Sequence, residues 1–114
     1  MILSNTDIVV ALKDKRLIID PLPEEDQIDS ASIDLRIGEP LWVWNPALKE
    51  KALPIDVDQF NFKSLSEKHL VETAKEPSGK YAIKPQMVYL ASTHEKIKLP
   101  VGSRLAGRIE GKSS

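Results

Sequence analysis

The sequence predicts a mainly β protein, a sandwich or a barrel, with one short helix at its N-terminus. Short segments rich in β-branched and aromatic residues recur along the chain, separated by turns that contain proline or glycine. They do not alternate with helices in the way that an α/β fold requires. The chain has 114 residues, the length of one small domain, and we predict a single domain over residues 1–114.

The composition excludes several classes of function. A net charge of −1 gives no basic surface for nucleic acid. The chain has no cysteine, so disulfides, thiol nucleophiles and cysteine-ligated zinc are excluded. Asp7 interrupts the apolar N-terminal stretch, which argues against a signal peptide, and no apolar run approaches the length of a membrane span. We expect a soluble, cytoplasmic protein with neither nucleic acid nor membrane as partner.

The first element is a predicted helix that begins after Ser4. Ser4 and Asp7 have the spacing of a capping box, although Glu or Gln is the usual partner. Ile8, Val9 and Leu12 follow at helical spacing and are expected to form the buried face.

Three strands are predicted between this helix and residue 46. The segment "RLIIDPLP" (16–23) is a short strand that prolines end, and residues 24–27 form a turn. Residues 28–38 alternate apolar and polar side chains, as in a half-buried strand. "PLWVWNP" (40–46) is the third strand, and Trp42 and Trp44 share one face of it, as core or subunit-interface anchors.

The second half of the chain is predicted to add further strands and one helix. "ALPIDVDQF" (52–60) reads as a strand, and "FKSLSEKHLVETA" (62–74) as one helix. Turns are predicted at residues 77–79 and 84–86. The strands that follow are "MVYLAST" (87–93), "KIKLP" (96–100) and "SRLAGRIEG" (103–111).

The last eight residues, "GRIEGKSS" (107–114), look like the end of a phosphate-binding P-loop, but the spacing is wrong. That loop requires four residues between its glycines, and only three separate Gly107 from Gly111. We therefore reject the P-loop interpretation. The segment still supplies a cation, two hydroxyls and a glycine.

Three motifs in order resemble the N-terminal part of dCTP deaminases, members of the trimeric dUTPase superfamily. The motifs are "IDSASIDLRIG" (28–38), "IKPQMVYLASTHEKIKLP" (83–100) and "GRIEGKSS" (107–114). The resemblance implies a dUTPase-like distorted β-barrel or jelly-roll and a homotrimer with active sites at subunit interfaces. It implies hydrolytic deamination of dCTP to dUTP and ammonia. It also implies Mg²⁺ carried with the nucleotide triphosphate and no zinc, which fits the absence of cysteine ligands.

The same resemblance assigns the substrate triphosphate to Gly111, Lys112, Ser113 and Ser114. Lys112 stands where the family usually has arginine, which replaces a planar fork of donors with a point charge. Gln86 stands where the family usually has glycine. The family's catalytic glutamate lies beyond Ser114, so we assign no catalytic residue in this chain. We expect a fragment of a longer protein, the alternative being a short relative.

Two carboxylates are secondary candidates for the site. Asp34 matches the superfamily's first motif, where a carboxylate can lie near the phosphates and their metal, but we favour ordinary pairing with neighbouring side chains. Glu110 precedes Gly111, and a hydrogen bond inside the site and simple solvent exposure are equally good interpretations. His69 and His94 lack the spacing of a metal site, and we predict none.

The sequence is compatible with two alternative functions. One is a dUTPase or a bifunctional dCTP deaminase–dUTPase, although the leading helix and "SIDLRIG" favour the deaminase branch. The other is a non-catalytic module of the same fold that binds nucleotide or only forms oligomers.

Overall fold

The computed structural model describes residues 1–46, 58 and 61–112. The chain divides into two compact units: unit 1 contains residues 1–37 and 93–114, and unit 2 contains residues 38–92. The single domain over residues 1–114 stays a prediction.

Unit 1 begins with helix α1, Asn5–Lys13, whose start is the one that the sequence predicts. The Ser4 hydroxyl accepts a hydrogen bond from the Asp7 backbone N–H at 3.2 Å. The Asp7 carboxylate in turn accepts from the Ser4 backbone N–H at 3.2 Å. This capping box satisfies backbone donors that the first helical turn leaves without partners. The chain leaves the helix at Lys15, which has a positive φ of 58°.

The buried face of α1 differs from the predicted one in a single member. Ile8 is buried and Leu12 packs against the core, but Val9 is 36% exposed and Ala11 is completely buried instead. Residues 8, 11 and 12 are three and four positions apart and lie on one face of a helix, whereas residue 9 lies about 100° away from residue 8. The burial therefore follows strict helical geometry.

A two-stranded antiparallel sheet packs with α1. Strand β1, Ile18–Asp20, confirms the strand predicted in residues 16–23, and it pairs with the last strand, β5, at Lys96–Lys98. Ile19 lies opposite Ile97 in this register. The core of unit 1 consists of buried apolar residues from the helix and β1, with partly buried ones around them: Ile8, Ala11, Leu17 and Ile19, then Leu3, Leu12, Ile28, Ile33 and Leu105.

Residues 28–38 do not form the predicted strand. Ile28 pairs with Ile33 in an isolated antiparallel bridge, so the segment first folds back on itself. Ile37 pairs with Thr93 in a second isolated bridge, and its side chain is 77% exposed. A continuous strand needs one neighbour along its length. This segment changes partner halfway, which the alternation of its side chains could not indicate.

Unit 2 is built on a three-stranded antiparallel sheet. Strand β2, Trp42–Trp44, is central and confirms the strand predicted in residues 40–46. Its neighbours are β3, Leu70–Glu72, and β4, Tyr89–Leu90. Val43 lies opposite Val71 on one side and Tyr89 on the other. Both tryptophans are half-buried, and Trp44 meets Phe62 edge to face with ring centroids 6.1 Å apart.

The predicted helix over residues 62–74 is right in its first part and wrong in its second. Helix α2 spans Phe62–His69, and the Asn61 side chain caps it by accepting from the Ser64 backbone N–H at 3.2 Å. The chain then becomes extended and enters β3. Pairing of β3 with β2 supplies backbone hydrogen bonds that helical propensity alone does not anticipate.

Both predicted turns of unit 2 are present. At residues 77–79 the Gly79 N–H donates to the Glu76 carbonyl at 2.8 Å, and Gly79 has a φ of +80°. In the second turn, at residues 84–86, Gln86 takes a φ of 62°. Glycine is the usual residue at a positive φ, because other residues meet steric strain there.

The C-terminal elements are shorter than predicted. Of residues 87–93 only β4 is a strand, and β5 confirms the strand in 96–100. Residues 103–112 have no regular secondary structure, so that predicted strand is wrong. A strand is defined by its hydrogen-bonded neighbour, and none flanks this segment within the described part of the chain. The strand predicted at 52–60 falls outside the described residues, apart from Asp58.

The fold class is confirmed as mainly β, with two antiparallel sheets and a short N-terminal helix. Across residues 1–46, 58 and 61–112 the sheets have two and three strands and do not close into a barrel.

Candidate functional site

Asp34, in the first of the three motifs, is held through its backbone by Gln27. The Asp34 N–H donates to the Gln27 carbonyl at 2.8 Å, and the Gln27 side-chain amide donates to the Asp34 carbonyl at 3.0 Å. Gln27 ends a short 3₁₀ turn, Glu25–Gln27, where the sequence predicts a turn. Both polar backbone groups of Asp34 are thus bound within unit 1, and its side chain is partly exposed.

The third motif crosses unit 1 as an irregular segment. Leu105 packs against the core, and the residues that follow it, 106–112, are exposed. Gly111 has no heavy atom within 4 Å of the position that a Cβ would take. Its small size is therefore not required by any described neighbour. Ser113 and Ser114, the predicted hydroxyl donors of the phosphate site, lie outside the described residues.

An ion pair joins the first motif to the third. The Lys112 ammonium donates a hydrogen bond to the Asp34 carboxylate across 78 positions of sequence. This hydrogen bond and the carboxylate's charge raise the pKa of Lys112 above its ordinary value, with a smaller contribution from the charge of Asp29. The structure therefore brings together two residues that the sequence singled out separately. Asp34 pairs with a neighbouring side chain, as expected, and that neighbour is the lysine of the predicted phosphate-binding motif.

Glu110 takes a different partner. Its carboxylate pairs with Arg108 of its own segment, and both side chains are exposed. The pair joins residues of the same segment. A hydrogen bond from a ligand to Glu110 stays a prediction.

Glu95 is the polar residue that sequence reasoning missed. It is 1% exposed, and its carboxylate accepts a hydrogen bond from the Arg36 backbone N–H at 2.8 Å. The signal was present in the sequence, because Glu95 belongs to the "T-H-E" of the second motif. Periodicity could not reveal the burial, since an acidic residue between two strands is usually exposed.

Within the described residues, no group of three or more His, Asp or Glu side chains could hold a metal ion. His69 is the last residue of α2 and is half-buried, and His94 is exposed. No helix of residues 1–46 or 61–112 is long and apolar enough to cross a membrane.

A cavity of about 200 Å³ lies in unit 2. Its lining includes Val43, Thr73, Lys84 and Tyr89. The hydroxyl oxygen of Thr73 is buried and makes no hydrogen bond with any described residue. None of the predicted site residues lines this cavity.

Comparison with known proteins gives one consistent result. The family model described as dCTP deaminase-like matches residues 2–114. A dCTP deaminase of Buchnera aphidicola subsp. Baizongia pistaciae is 30% identical over 118 residues, covering 100% of this chain and 58% of its own length. A protein named dCTP deaminase, dUMP-forming, from Methanothermobacter thermautotrophicus is 35% identical over 118 residues, covering 99% of this chain and 53% of its own length.

A second dUMP-forming dCTP deaminase, from Methanosphaera stadtmanae, is 34% identical over 113 residues, covering 99% of this chain and 53% of its own length. The chain thus spans about half the length of these curated relatives. The match of the family model extends over nearly every residue of the chain, including the helix cap, the Asp34 segment and the Lys112 motif. The chain belongs to the dCTP deaminase-like family.

Proposed function

We propose that this chain is the N-terminal part of a dCTP deaminase, which hydrolyses dCTP to dUTP and ammonia. The observation that supports the proposal most directly is the Lys112–Asp34 ion pair, which brings a cation of the third motif to a carboxylate of the first. Membership of the dCTP deaminase-like family supports deamination of dCTP as the reaction. In this proposal Gly111, Lys112, Ser113 and Ser114 bind the triphosphate.

In this proposal, proton transfer and phosphate binding are carried out by different parts of the protein. Deamination adds water at C4 of the base and releases ammonia, and it needs a group that moves protons between them. Family resemblance puts that glutamate beyond Ser114. The residues of this chain bind the polyanion instead: Lys112 supplies the cation, and the serine hydroxyls donate hydrogen bonds. Mg²⁺ enters with the triphosphate, and no zinc takes part.

Asp34 has a specific part in this scheme. Without nucleotide its carboxylate neutralises Lys112. A triphosphate carries more negative charge than one carboxylate, so Lys112 exchanges its partner Asp34 for the phosphates when the nucleotide binds. Asp34 is therefore a competitor for the lysine. Glu110, which lies one residue before Gly111, stays a secondary candidate for a hydrogen bond to the ligand.

A second candidate function is the bifunctional reaction that ends at dUMP. Relatives at 30–35% identity, among them four archaeal proteins, carry the name "dCTP deaminase, dUMP-forming". Analysis of the product separates the two reactions, since deamination alone stops at dUTP. A non-catalytic module would give neither product.

The proposal extends to assembly and location. Ile37, Val101 and Ile109 of unit 1 are exposed apolar side chains, and such surface favours association. We propose a homotrimer in the cytoplasm, in line with the family resemblance. Sedimentation at micromolar concentration tests the assembly, and a compact monomer as the sole species would contradict it.

The reaction is tested with a chimera. This chain is joined to the part of the Methanothermobacter thermautotrophicus relative that it does not cover, and ammonia, dUTP and dUMP are measured after incubation with dCTP. The chimera should release ammonia, and the chain alone should not. Ammonia release by the purified 114-residue chain would mean that the acid–base group lies within it.

The phosphate site is tested on the same chimera by calorimetric titration with dCTP and with deoxycytidine. Lys112→Ala should weaken dCTP binding roughly ten- to hundredfold and leave deoxycytidine nearly unchanged, because one charge-assisted contact to phosphate is lost. Lys112→Arg should retain or improve dCTP binding through its bidentate fork. The matched control is Lys13→Ala at the exposed end of α1. Equal losses for both ligands would show that the phosphates bind elsewhere.

A further inference from the structure

Glu95 is a buried carboxylate with no part in the scheme above. It follows the Ile37–Thr93 bridge in the chain and is 1% exposed. A charged group is stable in such a position only when it is paired and hydrogen-bonded. Its partners therefore indicate what the charge is for.

Those partners belong to one residue of the first motif. The Arg36 backbone N–H donates to both oxygens of Glu95, at 2.8 and 3.2 Å, and the Arg36 Nε donates to one of them at 3.4 Å. The hydrogen bond from the Arg36 backbone is the main cause that lowers the pKa of Glu95 below its ordinary value. Glu95 thus remains a carboxylate and binds mainly to the backbone of Arg36.

The segment containing Glu95 fixes Arg36 from two sides. The His94 N–H donates to the Arg36 carbonyl at 2.8 Å, so both polar backbone groups of Arg36 are bound by consecutive residues. The Thr93 hydroxyl donates to the Glu95 carbonyl at 2.7 Å and holds the Glu95 segment itself. Asp34 lies two residues before Arg36, and its own backbone is bound to Gln27. The backbone that carries the Asp34 side chain is consequently held at Asp34 itself and at Arg36.

We propose that Glu95 is a positioning residue of the phosphate site, which holds the Arg36 backbone and so keeps the Asp34 carboxylate within reach of Lys112. It acts through Arg36 and Asp34 and not by touching nucleotide. A carboxylate suits this task because it offers acceptors to the backbone N–H and to Nε together. The relevance to nucleotide binding rests on the proposed function, whereas the positioning of Asp34 does not.

The test measures the Lys112–Asp34 pair directly in the 114-residue chain. Proton exchange of the Lys112 ammonium with water, followed by nitrogen-15 NMR, is slowed by its hydrogen bond to Asp34. Asp34→Asn sets the value for the broken pair and should raise the exchange rate severalfold. Glu95→Ala should raise it to the same value. Glu95→Gln should fall between, since the amide keeps one acceptor but presents a donor where a second acceptor is needed.

A stability control separates positioning from general weakening. Ile19→Val removes one methyl from the core of the same unit and should leave the exchange rate unchanged, although it lowers stability. If Glu95→Ala does not fold, the exchange rates of Glu95→Gln and Ile19→Val are compared instead. The proposal requires faster exchange in Glu95→Gln than in Ile19→Val. Unchanged slow exchange in a folded Glu95 variant would overturn the proposal, and so would an Asp34→Asn variant with no effect.

Failure of the proposed function would look different. In the chimera, loss of Lys112–Asp34 pairing in Glu95→Ala together with unaltered dCTP affinity would leave the positioning role intact. It would show that the pair does not belong to the phosphate site.

Discussion

Truncation of Ile8 is the sharpest test of how α1 packs. The side chain is 5% exposed and belongs to the core of unit 1, whereas its neighbour Val9 is 36% exposed. Ile8→Ala removes three buried carbons, worth ~2.4 kcal/mol at about 0.8 kcal/mol for each methylene. The cavity that remains adds to this, so the free energy of unfolding should fall by roughly 2–5 kcal/mol.

Val9→Ala is the matched control for this substitution. It removes apolar carbons from the same helix, but from a surface that water already reaches. Alanine also has the better helix propensity, so the net change should stay within about 0.5 kcal/mol.

The assay is urea and thermal unfolding of both variants, followed by circular dichroism. For a domain of this size, a loss of 1 kcal/mol lowers Tm by roughly 4–8 °C, so Ile8→Ala should lose at least about 8 °C and Val9→Ala almost nothing. Equal losses of Tm in the two variants would refute this packing of α1. They would mean that Val9 belongs to the buried face, as the sequence predicts.

Three further predictions concern local structure. The pKa of Glu95 is lowered by the Arg36 N–H, so its stabilisation is complete above the unfolded value of about 4.3 and is lost as pH falls through the folded value. The Tm difference between Glu95→Gln and the unsubstituted chain should therefore shrink below that pH, and a constant difference would contradict the assignment. Ser4→Ala removes the helix cap and should cost about 1 kcal/mol in urea unfolding; no change would mean that the cap is not formed in solution. Gly79→Ala should destabilise by roughly 1–2 kcal/mol, because Gly79 has a φ of +80°. Gly107→Ala, at a residue without a positive φ or close neighbours, is its neutral control in the same unfolding assay.

Local features were the ones that the sequence determined. The cap of Ser4 with Asp7, strand β2 between its prolines and the turn at Gly79 are all present where they were predicted. Each depends on residues within a few positions of one another, so the information is contained in a short stretch of sequence. Three motifs in order were also enough to indicate the family. The order and spacing of motifs can be read directly from the sequence, without knowledge of the structure.

Tertiary structure decided the features that depend on distant partners. Residues 28–38 carry the alternation of a strand, yet they change partner halfway and form two isolated bridges with other described residues. Residues 70–72 lie in a predicted helix but form a strand, because their backbone hydrogen-bonds with β2. Side-chain alternation and helical propensity describe what a segment can do, and the choice among those conformations is made by its neighbours.

The candidate site shows the same division. Asp34 and Lys112 were each singled out from the sequence, but their pairing spans 78 positions and follows only from the folded chain. The burial of Glu95 was not foreseen at all, because an acidic side chain is buried only where the fold supplies donors for it, and here they come from Arg36. Sequence therefore determined which residues carry the charges, and the tertiary structure decided which charges meet, since electrostatic contacts depend on distance in space and not along the chain.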